Sequence, residues 1–125
     1  MKKKILILAT GGTIASENTG RGLSPERSGA EIAAGSLHGL SDCDIQCRDI
    51  LALDSSNIQP EEWQIIARET ASAVGEYDGV VITHGTDTMA YTASALTYML
   101  QNLPIPVVLT GSQLPFSHPL TDATD

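Results

Sequence analysis

Positive charge is scarce in this sequence. Its 125 residues carry seven Lys and Arg against fifteen Asp and Glu, a formal net charge of −8. A nucleic acid or an anionic membrane needs a basic face, so neither is expected as a partner. Lysine occurs only at Lys2, Lys3 and Lys4. The apolar run behind them, Ile5 to Ala9, is too short for the core of a signal peptide, and no run approaches the length of a membrane span. Cysteine is limited to Cys43 and Cys47, which make no disulfide scaffold. They read as reduced thiols, which places the chain in the cytoplasm. Several chemical motifs are also missing. There is no G-x-x-x-x-G-K-[ST] phosphate loop, no G-x-G-x-x-G after the first apolar run and no G-x-S-x-G elbow. No His, Cys and carboxylate cluster has zinc spacing, so neither metal nor cofactor is expected.

What is present is enough apolar material for a core. Hydrophobic residues make up 42% and charged residues 18%, too apolar for a disordered chain. A chain of this length reads as one domain burying roughly two-thirds of its unfolded surface. Lys3 to Thr10 reads as a buried strand, because Ile5, Leu6, Ile7 and Leu8 do not alternate with polar residues. Residues 16 to 29, rich in Ser, Asn, Gly, Pro and charge, read as an exposed mobile loop. A short helix is expected from Gly29 to His38, then a strand from Asp44 to Leu53. Pro60 suits a first helical position, with Glu61 and Glu62 beside the positive end of the dipole. Trp63, Ile66, Ala67, Thr70 and Val74 follow as one stripe, and Gly75 ends that helix. Val80 to Thr83 is the next strand. Thr88 to Gln101 is a helix with Met89, Ala93, Leu96 and Leu100 on one side and Tyr91, Ala95 and Tyr98 on another. A helix so apolar all round is expected to be covered twice, by the sheet and by a partner subunit. Pro106 to Thr110 is the last strand. The pattern predicts an α/β fold: an open, mostly parallel sheet with helices on both faces. The last strand has no returning helix, so residues 1–125 read as the first part of a larger domain.

All four strand ends carry small polar residues beside turn formers, and in open α/β sheets that edge is where ligands bind. Thr10-Gly11-Gly12-Thr13 offers glycine-backed amides and a hydroxyl. Thr13 suits a nucleophile or a turn residue, and spacing alone favours the turn residue. Thr86 and Asp87 set a hydroxyl beside a carboxylate in Thr83-His84-Gly85-Thr86-Asp87-Thr88-Met89. They suit a site or the N-cap of the next helix, and spacing does not choose between these. His84 reads as a satisfied structural residue. Asp54-Ser55-Ser56-Asn57 offers donors for a carboxylate or forms a local turn. Gly111-Ser112-Gln113 has the same two readings.

Thr10 to Ser16 (Thr-Gly-Gly-Thr-Ile-Ala-Ser) and His84 to Met89 (His-Gly-Thr-Asp-Thr-Met) resemble the two signature motifs of the bacterial-type L-asparaginase/glutaminase family. Asp54-Ser55-Ser56, Met89 to Leu96 and Thr110 to Pro115 are similar to its cytoplasmic type I branch. The resemblance spans essentially the whole sequence, with five motifs in order. It implies hydrolysis of the L-asparagine side-chain amide to aspartate and ammonia. It implies Thr13 as nucleophile, and Thr86 and Asp87 as members of a second triad, with Asp87 also contacting the substrate α-ammonium. Ser55 would bind the α-carboxylate, with Ser56 adjacent, Gly12 and Gly85 lining the site and Ser112 near the scissile amide. Glu17 to Arg27 would be a closing lid that excludes water. The resemblance also implies a homo-oligomer, dimer or tetramer.

Two departures from the family pattern stand out. Leu23 occupies the place where the family often has a lid tyrosine, which bears on the identity of the general base. The family's catalytic lysine and its smaller C-terminal domain lie beyond Asp125, so residues 1–125 are expected to form an incomplete N-terminal domain. Three competitors remain. One is a non-catalytic amino-acid-binding module. Another is a related amidase, either a glutaminase or a tRNA-dependent amidotransferase subunit. The third is a nucleotide- or flavin-binding domain, which the lack of Lys or Arg near Thr10 to Thr13 disfavours.

Overall fold

The structure is a computed structural model that describes residues 2–12, 16–18, 23–25, 42–115 and 117–123. Four parallel strands form one sheet: β1 (Lys3–Gly11), β4 (Cys43–Leu53), β5 (Gly79–Thr83) and β6 (Val107–Thr110). Their order is β4-β1-β5-β6. Two short strands, β2 (Ser16–Asn18) and β3 (Leu23–Pro25), pair antiparallel with Asn18 opposite Leu23. Where an exposed mobile loop was expected over residues 16 to 29, Ser16–Asn18 and Leu23–Pro25 instead pair as strands. The turn-forming composition concealed two strands too short for any apolar alternation to register.

β1 is an interior strand, hydrogen-bonded on both sides, and its apolar run serves the two faces of the sheet. Leu6 and Leu8, with Val80 and Ile82 beside them on β5, are buried beneath the helices. Helix α1 (Pro60–Ala73) begins with Pro60 at its first turn, and Glu62 Oε2 accepts from the Gln59 amide at 2.6 Å. Helix α2 (Met89–Met99) follows β5. Both crossovers, β4 to β5 and β5 to β6, run the same way along the sheet. Right-handed connections then put both helices on one face, where Trp63 of α1 bonds Thr92 of α2. The core is Leu6, Leu8, Ile66, Ala67, Ala73, Tyr77, Val80, Ile82 and Leu96. Ala73 and Tyr77 were outside the expected stripe. Tyr77 joins the core through the tight turn after α1, and its hydroxyl donates to Gln46 Oε1 at 2.5 Å. On the other sheet face Ile5, Ile7 and Val81 are half-buried. The helix expected from Gly29 to His38 lies outside the described residues. The Tyr91 and Tyr98 side of α2 is exposed, at 68% and 78%.

The direction of connection reverses between β1 and β5. From β1 the chain goes to β4 on one side, and from β5 it goes to β6 on the other. Loops leaving these neighbours diverge and open a crevice at the carboxyl ends of the strands.

Candidate active site

Four segments meet at that crevice, and glycine makes the meeting close. Gly12 has φ +85, and its amide donates to the Leu53 carbonyl at 3.0 Å. A Cβ at Gly12 would lie 2.5 Å from the Gly85 backbone. A Cβ at Gly85 would overlap the Ser55 side chain, and one at Gly111 would overlap the His84 carbonyl. Only hydrogen at these positions lets the ends of β1, β5 and β6 and the turn after β4 close on one another.

A break in register delivers Ser55 to this point. Ala9 pairs with Asp49, yet Gly11 pairs with Leu53, so β4 gains residues relative to β1 at its end. The chain then enters a 3-10 turn, Ser55–Asn57, in which Asp54 Oδ1 accepts from the Ser56 amide at 3.1 Å. Asp54 therefore does the local turn work. Ser55 is buried against Gly85, while Ser56 is exposed.

The turn after β5 places neither Thr86 nor Asp87 at the cap position of the next helix. Thr88, not Thr86 or Asp87, is the N-cap residue of α2, and its side chain does not cap the helix. The Thr88 hydroxyl instead donates to the Ser55 carbonyl at 2.8 Å, tying the two turns together. Neither Thr86 nor Asp87 is spent on starting the helix. Asp87 is exposed and Thr86 half-buried, beside Gly111. A hydroxyl and a carboxylate thus stand at the mouth of the crevice, where they can meet a ligand's ammonium or assist a proton transfer.

His84 is 1% exposed and satisfied on both ring nitrogens, as its structural reading requires. Nδ1 lies 2.7 Å from the Gly85 carbonyl and Nε2 2.9 Å from Thr92 Oγ1. Thr92 is completely buried and also accepts from Trp63 Nε1 at 2.8 Å. The sequence reading passed over Thr92. The available signal was a polar residue on the buried side of an apolar helix. Thr10 Oγ1 donates to the Thr83 carbonyl at 2.7 Å, and among the described residues Thr83 Oγ1 is buried without a partner.

Ser112 is 1% exposed, and its hydroxyl donates to the Leu114 carbonyl at 2.6 Å. The Gln113 and Leu114 amides donate to the Asp122 carboxylate. These bonds hold the Asp122 carboxyl below the usual carboxylate range, the Gln113 amide contributing most. Asp122 was also missed, because its role depends on a return of the chain. Burial, followed by the charge of Asp49, pushes the Cys47 thiol up. Cys43 and Cys47 are both free. Thr13 lies outside the described residues, as does most of the expected lid from Glu17 to Arg27. The structure brings together Gly12, Ser55 and Gly85, with Thr86 beside Gly111, Asp87 next to it in the same turn, and Ser112 just past the adjoining strand end. Among the described residues no group of His, Cys, Asp and Glu could hold a metal ion, and no helix is long and apolar enough to cross a membrane.

Comparison with known proteins converges on one family. The family model described as Asparaginase, N-terminal, matches residues 4–125. An L-asparaginase from Thermococcus kodakarensis is 54% identical over 123 residues, covering 96% of this chain and 37% of the relative. A subunit of the Glutamyl-tRNA(Gln) amidotransferase from Thermoplasma acidophilum is 41% identical, covering 98% of this chain and 30% of the relative. The solved thermostable L-asparaginase from Thermococcus kodakarensis superposes with a TM-score of 0.88 at 52% identity, over 97% of this chain and 37% of that one. A solved probable cytoplasmic L-asparaginase from Campylobacter jejuni gives a TM-score of 0.81 at 37% identity, over 98% of this chain and 37% of that one. The chain therefore spans about a third of the length of these relatives.

Proposed function

Because this chain belongs to the asparaginase family, we propose that it carries the threonine side and the amino-acid-binding side of an L-asparaginase site. The observation that carries the reading is the closure of Gly12, Ser55 and Gly85 on one another at the strand ends, with Thr86 and Asp87 left uncommitted beside them. In this reading Ser55, aided by Ser56, receives the substrate α-carboxylate, and Asp87 receives the α-ammonium. Both contacts are charge-assisted and fix the amino acid end of L-asparagine. The side-chain amide then extends toward Thr13, one residue past Gly12. The Thr13 hydroxyl attacks the amide carbon, and the hydroxyl proton passes to a base. Backbone amides at the glycine turn stabilise the oxyanion. The C–N bond breaks, the nitrogen takes a proton and ammonia leaves, giving a Thr13 ester of aspartate. Water adds to that ester, and aspartate departs with the hydroxyl restored. Thr86 and Asp87 assist both proton transfers, together with a lysine that residues 5–125 do not contain. Ser112 shapes the wall near the scissile amide, and Glu17 to Arg27 closes over the site.

A homo-oligomer is part of the same proposal, supported by the exposed Tyr91 and Tyr98 side of α2. A cytoplasmic location is supported by the description of the Campylobacter jejuni relative. The amidotransferase relative supports a second reading, an amidase whose ammonia serves another reaction.

Ammonia release from L-asparagine and L-glutamine tests these readings. The 125-residue chain alone is expected to give at most trace turnover, because it supplies no lysine to the Thr86–Asp87 pair. Robust turnover would overturn that role for lysine. In a full-length enzyme carrying this sequence, Thr13→Ala is expected to abolish acyl-enzyme formation while L-aspartate still binds. Near-normal turnover by that variant would refute the nucleophile assignment.

A further inference from the structure

The hydrogen bonds around His84 have a direction, and it ends at the proposed site. Trp63 Nε1–H has no acceptor capacity, so it donates to Thr92 Oγ1. The Gly85 carbonyl has no proton, so His84 Nδ1 donates to it. In the neutral ring this leaves Nε2 as an acceptor, and the Thr92 hydroxyl gives its proton there. With a neutral ring, one arrangement of protons satisfies all three bonds, from α1 through α2 to the loop after β5. The hydrogen-bonding atoms of His84 and Thr92 are shut away from solvent, so an unmade bond has no water to replace it.

Gly85 has no side chain to anchor it. Its position is set by the Gly12 backbone, by the Ser55 side chain and by the hydrogen bond to its carbonyl. Thr86 and Asp87 follow directly, so displacement of Gly85 carries them with it. Filling the space alone would not need a histidine, because an apolar side chain fills a buried site without requiring partners. We propose that His84 is a positioning residue, held as its Nδ1–H tautomer by Thr92 and Trp63, that clamps the Gly85 carbonyl and thereby sets Thr86 and Asp87 for ligand. The consequence for amino-acid binding rests on the function proposed above. The clamp itself does not.

The test combines ring ¹⁵N NMR with two variants that each keep half of the histidine. His84→Asn retains a donor near the Nδ1 position, and His84→Gln retains a polar group near Nε2 but loses the Gly85 clamp. In the unsubstituted protein, Nδ1 is expected in the protonated range and Nε2 in the unprotonated range. The Thr86 and Asp87 amide resonances should stay in place in His84→Asn and move in His84→Gln. L-aspartate affinity, measured by calorimetry, should fall about tenfold in His84→Gln and stay within roughly threefold in His84→Asn. An Nε2–H tautomer, or identical behaviour of the two variants in the amide resonances, would overturn the proposal, and the tautomer measurement holds even where a variant fails to fold. If the unsubstituted protein binds no L-aspartate while the tautomer and amide pattern are as expected, the amino-acid reading falls and the clamp stands.

Discussion

Two glycines with nearly equal φ have different jobs. Gly75, φ +88, ends α1 with open space where a Cβ would go, whereas Gly12, φ +85, presses on the Gly85 backbone. Gly75→Ala carries conformational strain alone, on the order of 1 kcal/mol. Gly12→Ala adds a steric conflict with backbone that has no flexible end to move aside. Chemical denaturation is expected to show the larger loss for Gly12→Ala, and L-aspartate binding should be lost only there. Equal losses would mean that the crevice is not closed by the Gly12–Gly85 contact. The sequence marked Gly75 as a helix terminator and Gly12 as a turn glycine, because both follow from local backbone rules. That Gly12 abuts Gly85, 73 positions away, follows from strand order. The same holds for His84. Its structural reading was correct, but the direction of its hydrogen bonds to Gly85 and Thr92 is set by Trp63, which reaches Thr92 from a helix 29 positions away in the chain.

Among elements, the segment after β6 shows how a distant carboxylate sets a loop. Asp122 accepts from the Gln113 and Leu114 amides, and Thr121 Oγ1 donates to the Leu114 carbonyl at 3.2 Å. The lowered Asp122 titration fixes the sign of its pH effect. Its contribution to loop order is complete above the ordinary aspartate value, about 3.9, and is lost as pH falls through the lower folded value. An NMR titration should show the Gln113 and Leu114 amides moving together with a midpoint below that ordinary value, and Asp122→Asn should abolish the transition. A midpoint at or above the ordinary value would contradict the clamp. The four strands of the main sheet and the two described helices were legible to within a residue or two, because Ile5 to Leu8, Pro60 and Gly75 act locally. The β2–β3 pairing was not, since a three-residue strand has too few positions to show a period.

For the whole molecule, the core determines whether the crevice exists at all. Leu8 lies on β1 between β4 and β5, fully buried, and its strand ends in Gly11 and Gly12. Leu8→Ala is expected to cost about 2–5 kcal/mol. Thermal or denaturant unfolding should show it, and a loss well under 1 kcal/mol would mean that the β1 core position is not closely packed. An apolar groove lined by Ala93, Leu96, Leu100, Leu103, Val107 and Leu109 runs between α2 and β6. By itself the sequence determined the α/β class, the parallel sheet, the principal helices and the polar character of the strand ends, because apolar runs, turn residues and helix caps act over a few positions. Tertiary structure alone decided that β1 and β5 are neighbours, that a register break brings Ser55 against Gly85, and that Thr88 frees Thr86 and Asp87 from capping. Those outcomes depend on crossover handedness and on contacts between residues far apart in the chain, which no local pattern records.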